Sequence, residues 1–151
     1  MASDERQEAR YEPTVARVYR NETVEVTWEP SFCTHYAACI NGSPATFNPQ
    51  RRPWVELDGD TPERILEAVS HCPTGALHAR RLDGSEAVAP PSPVEFHVQL
   101  NGPLFIRGSS RVMNAEGEVV REDWRMALCR CGASQNKPFC DDSHYRIGFT
   151  G

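Results

Sequence analysis

Cys129, Cys131, Cys140 and His144 fall in one run near the end of a chain of 151 residues, C-R-C-G-A-S-Q-N-K-P-F-C-D-D-S-H. Three thiols and an imidazole so close together are soft ligands for a metal centre. Cys129 and Cys131 flank a single residue, so they can offer both sulfurs to one centre but form only a badly strained disulfide with each other. Zinc accepts three Cys and one His in a closed tetrahedron, yet its structural sites usually space the first pair of ligands more widely than Cys129 and Cys131. The tight pair favours iron-sulfur chemistry.

The pattern C-x-C-x2-S-x3-P-x-C-D-x2-H resembles the CDGSH iron-sulfur domain. That resemblance implies a 2Fe-2S cluster with Cys129 and Cys131 on one iron and Cys140 with His144 on the other. It also makes Ser134 a hydrogen-bond donor near the cluster and Pro138 a loop stiffener. Asp142 stands where the family has Gly. Asp tolerates left-handed backbone better than most residues, and its carboxylate is expected to favour the oxidised state. A neutral imidazole in place of a thiolate removes negative charge from the site and raises its reduction potential. The exposed ring nitrogen of a coordinated His is expected to titrate near neutral pH, and full protonation to free it from iron.

The other cysteines form a second group. Cys33 and Cys39 sit in C-T-H-Y-A-A-C, and Cys72 follows at C-P-T-G-A-L. A ferredoxin cluster takes ligands from a short cysteine run plus a distant Cys followed by Pro, but here Tyr36 stands where the middle cysteine belongs. The group resembles the divergent single-cluster ferredoxin family, in which a Cys-x-His-x3-Cys run precedes a distant C-P-S/T-G-A-L; Phe47 to Trp54, F-N-P-Q-R-R-P-W, resembles it too. Either three thiolates hold a 3Fe-4S cluster, or a fourth ligand completes a 4Fe-4S cluster. His35 is the nearest candidate, His71 beside Cys72 the competing one, and an external ligand the remaining choice. A lone His is more often a surface side chain than a ligand, but His35 lies between two ligands.

All six cysteines are absorbed by the two motifs. A disulfide reading would need oxidising surroundings, whereas the first thirty residues contain no apolar signal core and no run approaches the roughly eighteen apolar residues of a membrane span. The expectation is a cytoplasmic chain, and Asn21-Glu22-Thr23, though a glycosylation acceptor pattern, is then only a turn. Net charge is -5, with no basic stripe interleaved with aromatics, so nucleic acid is not an expected partner. His78 and His97 lack ligand neighbours in the sequence and read as plain surface or sheet residues. Arg51-Arg52-Pro53-Trp54 reads as a solvated turn.

The elements that must position these ligands suggest an α+β chain of two small iron-sulfur domains. A ferredoxin-like domain spans 1–83, a proline-rich linker 84–93 and a β-rich CDGSH-type domain 94–151. Alternating runs at Ala16 to Tyr19 and Thr23 to Trp28 predict a hairpin with Val24, Val26 and Trp28 on one face. A helical turn is expected after Cys33, stopping at Asn41-Gly42. Pro62 to His71 predicts a helix, capped by Asp60 or Thr61, with Ile65, Leu66 and Val69 inward; it delivers Cys72 toward the first cysteine pair. Strands are predicted at Val94 to Leu100, Leu104 to Arg107 and Val119 to Trp124. Domains this small bury little apolar surface, so bound clusters would double as staples.

Nothing in the sequence has the form of a substrate enzyme: there is no nucleophile elbow, phosphate-binding glycine loop or dinucleotide fingerprint. The reading is an electron carrier exchanging electrons with redox partner proteins, a homodimer being possible through the strands of the second domain. The alternatives are a redox or iron-status sensor, a 2Fe-2S cluster donor working through His144, and a structural zinc protein.

Overall fold

The computed structural model describes residues 15–85 and 89–151. Two three-stranded antiparallel sheets, each with helices or loops packed beside it, make the α+β fold. Part of the expected linker, residues 86–88, lies outside the described residues, as do residues 1–14 of the amino-terminal stretch.

The first sheet has strand order β1-β2-β3, formed by Arg17–Arg20, Val24–Trp28 and Leu77–Arg81. Asn21 makes the predicted turn: its side-chain oxygen accepts from the backbone N–H groups of Thr23 and Val24, both at 2.9 Å. Val24 and Val26 alternate onto the covered face and are fully buried, together with Phe47 and Ile65. Burying such a side chain is worth about 1.5–3 kcal/mol. The strand β3 was not predicted, because H-A-R-R carries two arginines and little β propensity; pairing with β2 from Val24↔Arg81 to Trp28↔Leu77 imposes it.

Helix α1, Ala38–Gly42, is the predicted turn after Cys33. Helix α2, Pro62–Ser70, begins as its sequence dictates: Pro62 holds the first position and the Thr61 hydroxyl accepts from the Arg64 N–H at 3.4 Å. Ile65, Ala68 and Val69 are its buried residues, with Leu66 partly buried. Gly42 is where the two helices meet, since a Cβ there would lie 2.9 Å from that of Ala68.

The second sheet has order β4-β5-β6, formed by Glu95–Val98, Leu104–Met113 and Val119–Leu128. The last two strands run well past their predicted ends. Gly108, in left-handed backbone, marks a register shift between Arg107 and Ser110, and pairing resumes beyond it. Helix α3, Ser143–Arg146, follows the second cysteine motif.

The two sheets are joined by a buried polar contact. Arg121, Asp123 and Arg125, at alternate positions of β6, point to one side and meet the first sheet. Arg121 forks onto Glu29 at 3.1 and 3.2 Å, donates to the Gly75 carbonyl at 2.9 Å and lies over the Phe32 ring at 3.6 Å. Asp123, 2% exposed, accepts from His78 at 2.6 Å and from Arg121 at 3.2 Å. Arg125, 2% exposed, donates to the carbonyls of Val69 and Leu77. His78 is therefore a joint between the two sheets.

Candidate metal centres

The chain forms no disulfide; all six cysteines are free thiols, arranged in two places. In the C-terminal place, β6 ends at Leu128 and hands the chain to Cys129, whose N–H donates to the Pro138 carbonyl at 2.8 Å. Cys140 is tied back to the same strand through Ala127, N to O at 2.8 Å. The loop therefore closes on itself, bringing two ligand pairs together. Cys129 Sγ and Cys131 Sγ lie 3.7 Å apart, and Cys140 Sγ and His144 Nδ1 lie 3.5 Å apart.

This pairing distinguishes the chemistry. Four ligands on one zinc, with bonds of about 2.0–2.3 Å, must all lie within about 4 Å of one another. Among the described residues, the one group of three or more potential ligands closing to within 4.8 Å is Cys140, Asp142 and His144, which excludes Cys129 and Cys131. Two close pairs held apart match two metals, one per pair. The sulfurs are also prepared for charge: the N–H groups of Gly132 and Ala133 donate to Cys129 and Cys131 at 3.3 and 3.4 Å. Burial pushes the Cys129 thiol up, but the N–H groups of Ser134 and Gly132 outweigh it, so Cys129 lies below its ordinary value. Cys140, further inside, is pushed up to about 11, first by burial and then by the charges of Asp142, Asp141 and Cys129. A metal must displace that proton to bind.

Two expectations change here. Ser134 serves the site through its backbone N–H, because its hydroxyl donates to the Phe139 carbonyl at 2.6 Å and staples the loop. His144 is 5% exposed and packed on Tyr145, with ring centroids 4.1 Å apart, so its far nitrogen Nε2 is buried rather than open to water. Asp142 adopts the left-handed backbone expected of the Gly it replaces, with φ 72.

The N-terminal place is a cavity of about 520 Å³ lined by Cys33, Cys39 and Cys72. Cys33 follows a 3-10 turn, Cys39 lies in the first turn of α1, and Cys72 follows α2, its N–H bonded to the Val69 carbonyl at 3.0 Å. Arg125 holds that end of α2 from the other sheet. Gly75, in the C-P-T-G-A-L segment, also needs its bare Cα: at φ +70, a Cβ would sit 2.4 Å from the Arg125 carbonyl oxygen and 2.6 Å from Asp123 Oδ2. The three thiols do not converge as ligands of a single ion do, yet Cys33 and Cys39 feel their neighbours. Cys39 is pushed up to about 12, first by burial and then by the charges of Cys72 and Cys33. Burial likewise raises Cys33, against the lowering influence of the His35 N–H.

The remaining walls suit a negatively charged, sulfur-rich occupant. Among the described residues no acidic side chain lines the cavity, whereas Arg17 and Arg52 do. Trp28 and Trp54, edge to face with centroids 4.9 Å apart, both have buried indole N–H groups without a hydrogen-bond partner. A buried Trp N–H ordinarily finds an acceptor. Arg51 and Arg52 brace the Phe47 to Trp54 loop through carbonyls at 45, 46, 49, 51 and 53, while Arg52 and Pro53 stay exposed as in a solvated turn. His35 is on the cavity wall, His71 is exposed at the end of α2, and His97 pairs with Glu95 at 2.9 Å.

Residues 19–82 match the family described as divergent 4Fe-4S mono-cluster. Over 64 residues the chain is 31% identical to the uncharacterized protein YjdI of Escherichia coli K12, covering 42% of this chain and 84% of YjdI. The O157:H7 counterpart matches equally. The chain belongs to the divergent 4Fe-4S mono-cluster family. Residues 101–145 match the iron-binding zinc finger of CDGSH type, so this mono-cluster chain carries a CDGSH-type domain behind its family segment. Both matches contain the ligand sets assembled above. The mono-cluster segment ends with β3, the strand the sequence did not disclose.

Proposed function

We propose that this chain is a two-centre electron carrier. Cys33, Cys39 and Cys72, with His35 as fourth ligand, would hold a 4Fe-4S cluster; Cys129, Cys131, Cys140 and His144 would hold a 2Fe-2S cluster. When bound, each cluster supplies one-electron chemistry, with electrons entering from a reduced partner protein and leaving to an oxidised one. The residues contribute ligation, dry walls, N–H donors to sulfur and a fixed spacing.

The observation carrying this reading is that the two ligand loops touch. Phe32, next to Cys33, packs edge to face on Phe139, next to Cys140, with centroids 5.1 Å apart. Asn136, between the two halves of the second motif, donates to the Ser31 carbonyl at 3.2 Å. Such a junction favours exchange between centres within one chain, in a reducing compartment such as the cytoplasm. Release of the 2Fe-2S group through His144, the cluster-donor alternative, needs a ligand that water reaches, and His144 is buried.

The test is anaerobic purification followed by iron, labile sulfide and zinc analysis, with EPR at graded potentials. The expected result is two one-electron signals of different relaxation and iron and sulfide sufficient for both clusters. Stoichiometric zinc without labile sulfide would overturn the proposal. Rapid transfer of the 2Fe-2S cluster to an apo-ferredoxin, outpacing electron exchange, would replace it with the donor reading.

A further inference from the structure

His35 donates or accepts through Nδ1 across the sheet junction: its partner is Asp142 Oδ2, at 3.2 Å. Asp142 belongs to the second motif and stands between Cys140 and His144, with a donor atom inside the same 4.8 Å group as theirs. Its other oxygen, Oδ1, is buried without a hydrogen-bond partner. One carboxylate thus touches His35, on the wall of the first cavity, and lies beside the second ligand pair.

The contact is supported from several sides. Tyr36 packs edge to face on Phe105 of β5, with centroids 6.1 Å apart, so the residue after His35 is anchored to the second sheet. His35 and Ala37 both adopt left-handed backbone, φ 56 and 67, which turns the run between Cys33 and Cys39 sharply. The His35 side chain is 84% exposed, and in this setting a surface ion pair alone would contribute little.

A histidine that ligates a metal through one ring nitrogen almost always hands its other N–H to a carboxylate, carbonyl or water, which fixes the tautomer and the ring orientation. Nδ1 of His35 has that partner, leaving Nε2 as the nitrogen available to iron. Resting on the 4Fe-4S reading above, we infer that Asp142, supplied by the CDGSH-type loop, is the positioning residue that holds His35 as fourth ligand of the N-terminal cluster. The aspartate in place of Gly then has a purpose: it makes the first centre dependent on the second loop.

The experiment uses the full chain prepared without oxygen. Histidine is labelled with 15N in a His144→Cys background, so that a strong imidazole coupling in pulsed EPR of the reduced protein belongs to the first centre. Expected is such a coupling, lost in His35→Ala. Asp142→Gly is compatible with the backbone, since φ 72 suits Gly. On ferricyanide titration it is expected to lose its fourth iron at least tenfold faster than wild type, seen as the oxidised 3Fe-4S signal. Asp142→Asn, which keeps an acceptor for Nδ1–H, is expected to restore most of the retention. A cubane without imidazole coupling, or Asp142→Gly and wild type losing iron at equal rates, overturns this inference and leaves the carrier reading intact. A chain without any cubane overturns the carrier reading itself. If Asp142→Gly cannot be loaded, the labelled coupling in the aspartate-bearing chain alone decides.

Discussion

At the scale of single residues, the candidate ligands are conspicuous because their chemistry is scarce: Cys is a rare residue, and here every cysteine falls in one of the two candidate sites. What tunes them is less conspicuous. Trp28 and Trp54 sit in ordinary strand and loop sequence, and nothing local distinguishes a Trp that packs from one whose N–H must meet sulfur. The buried, unpartnered indole nitrogens on the cavity wall make the difference. A donor to cluster sulfur stabilises the reduced form, which carries more charge, and so raises the potential. Trp28→Phe and Trp54→Phe keep the ring and remove the donor. A differential loss of about 1 kcal/mol per bond corresponds to about 40 mV for one electron. Each variant is therefore expected to lower the potential of the first centre by about that amount in an EPR-monitored titration, while the second centre stays put as an internal reference. Equal potentials in all three proteins would show that neither indole serves the cluster.

At the scale of elements, the legible parts were those with a local cause. The hairpin of β1 and β2 followed from alternation and the Asn21 turn, and α2 from Thr61, Pro62 and its apolar stripe. The second ligand loop was legible because its spacing is self-contained. The strand β3 was not, since Leu77 to Arg81 becomes extended only by pairing with β2. The inner face of β6 was the least legible. Charge at every second position, as at Arg121, Asp123 and Arg125, ordinarily faces water, so nothing local marks this face as buried. Here that face is the junction, its charges satisfied by Glu29, His78 and the carbonyls of 69, 75 and 77. The glycine of C-P-T-G-A-L belongs to the same junction. Gly75→Ala costs about 1–2 kcal/mol from left-handed backbone alone, and the overlap with β6 adds to it. The expected outcome is a lowered urea midpoint and loss of iron from the first centre, with the 2Fe-2S spectrum retained. Wild-type iron content and midpoint in Gly75→Ala would mean that the two sheets do not press together at this point.

At the scale of the whole molecule, the junction makes stability depend on acid through one group. Asp123 is pulled two ways. Burial pushes its carboxyl up, while the hydrogen bond and charge of His78, the Arg125 N–H and the Arg125 charge pull it down further, so that it ends below the ordinary carboxylate range. The titratable and charged groups facing it are His78 on β3 and Arg121 and Arg125 on β6, with Glu29 beyond on the loop after β2. A carboxyl lowered on folding binds fewer protons folded than unfolded; its contribution is complete above the unfolded value and is lost as pH falls through the folded one. Removing one partner of a buried pair leaves the others uncompensated, at a cost of about 3–5 kcal/mol. Asp123→Asn is therefore expected to be less stable than wild type by a few kcal/mol above the ordinary carboxylate range, with the gap narrowing as pH falls below that range and the wild-type carboxyl protonates. Urea midpoints of the two proteins, measured side by side across that range, check both the size and the sign. A gap that stays constant, or widens in acid, would assign the joining of the two sheets to the aromatic contact between Phe32 and Phe139 instead of to Asp123.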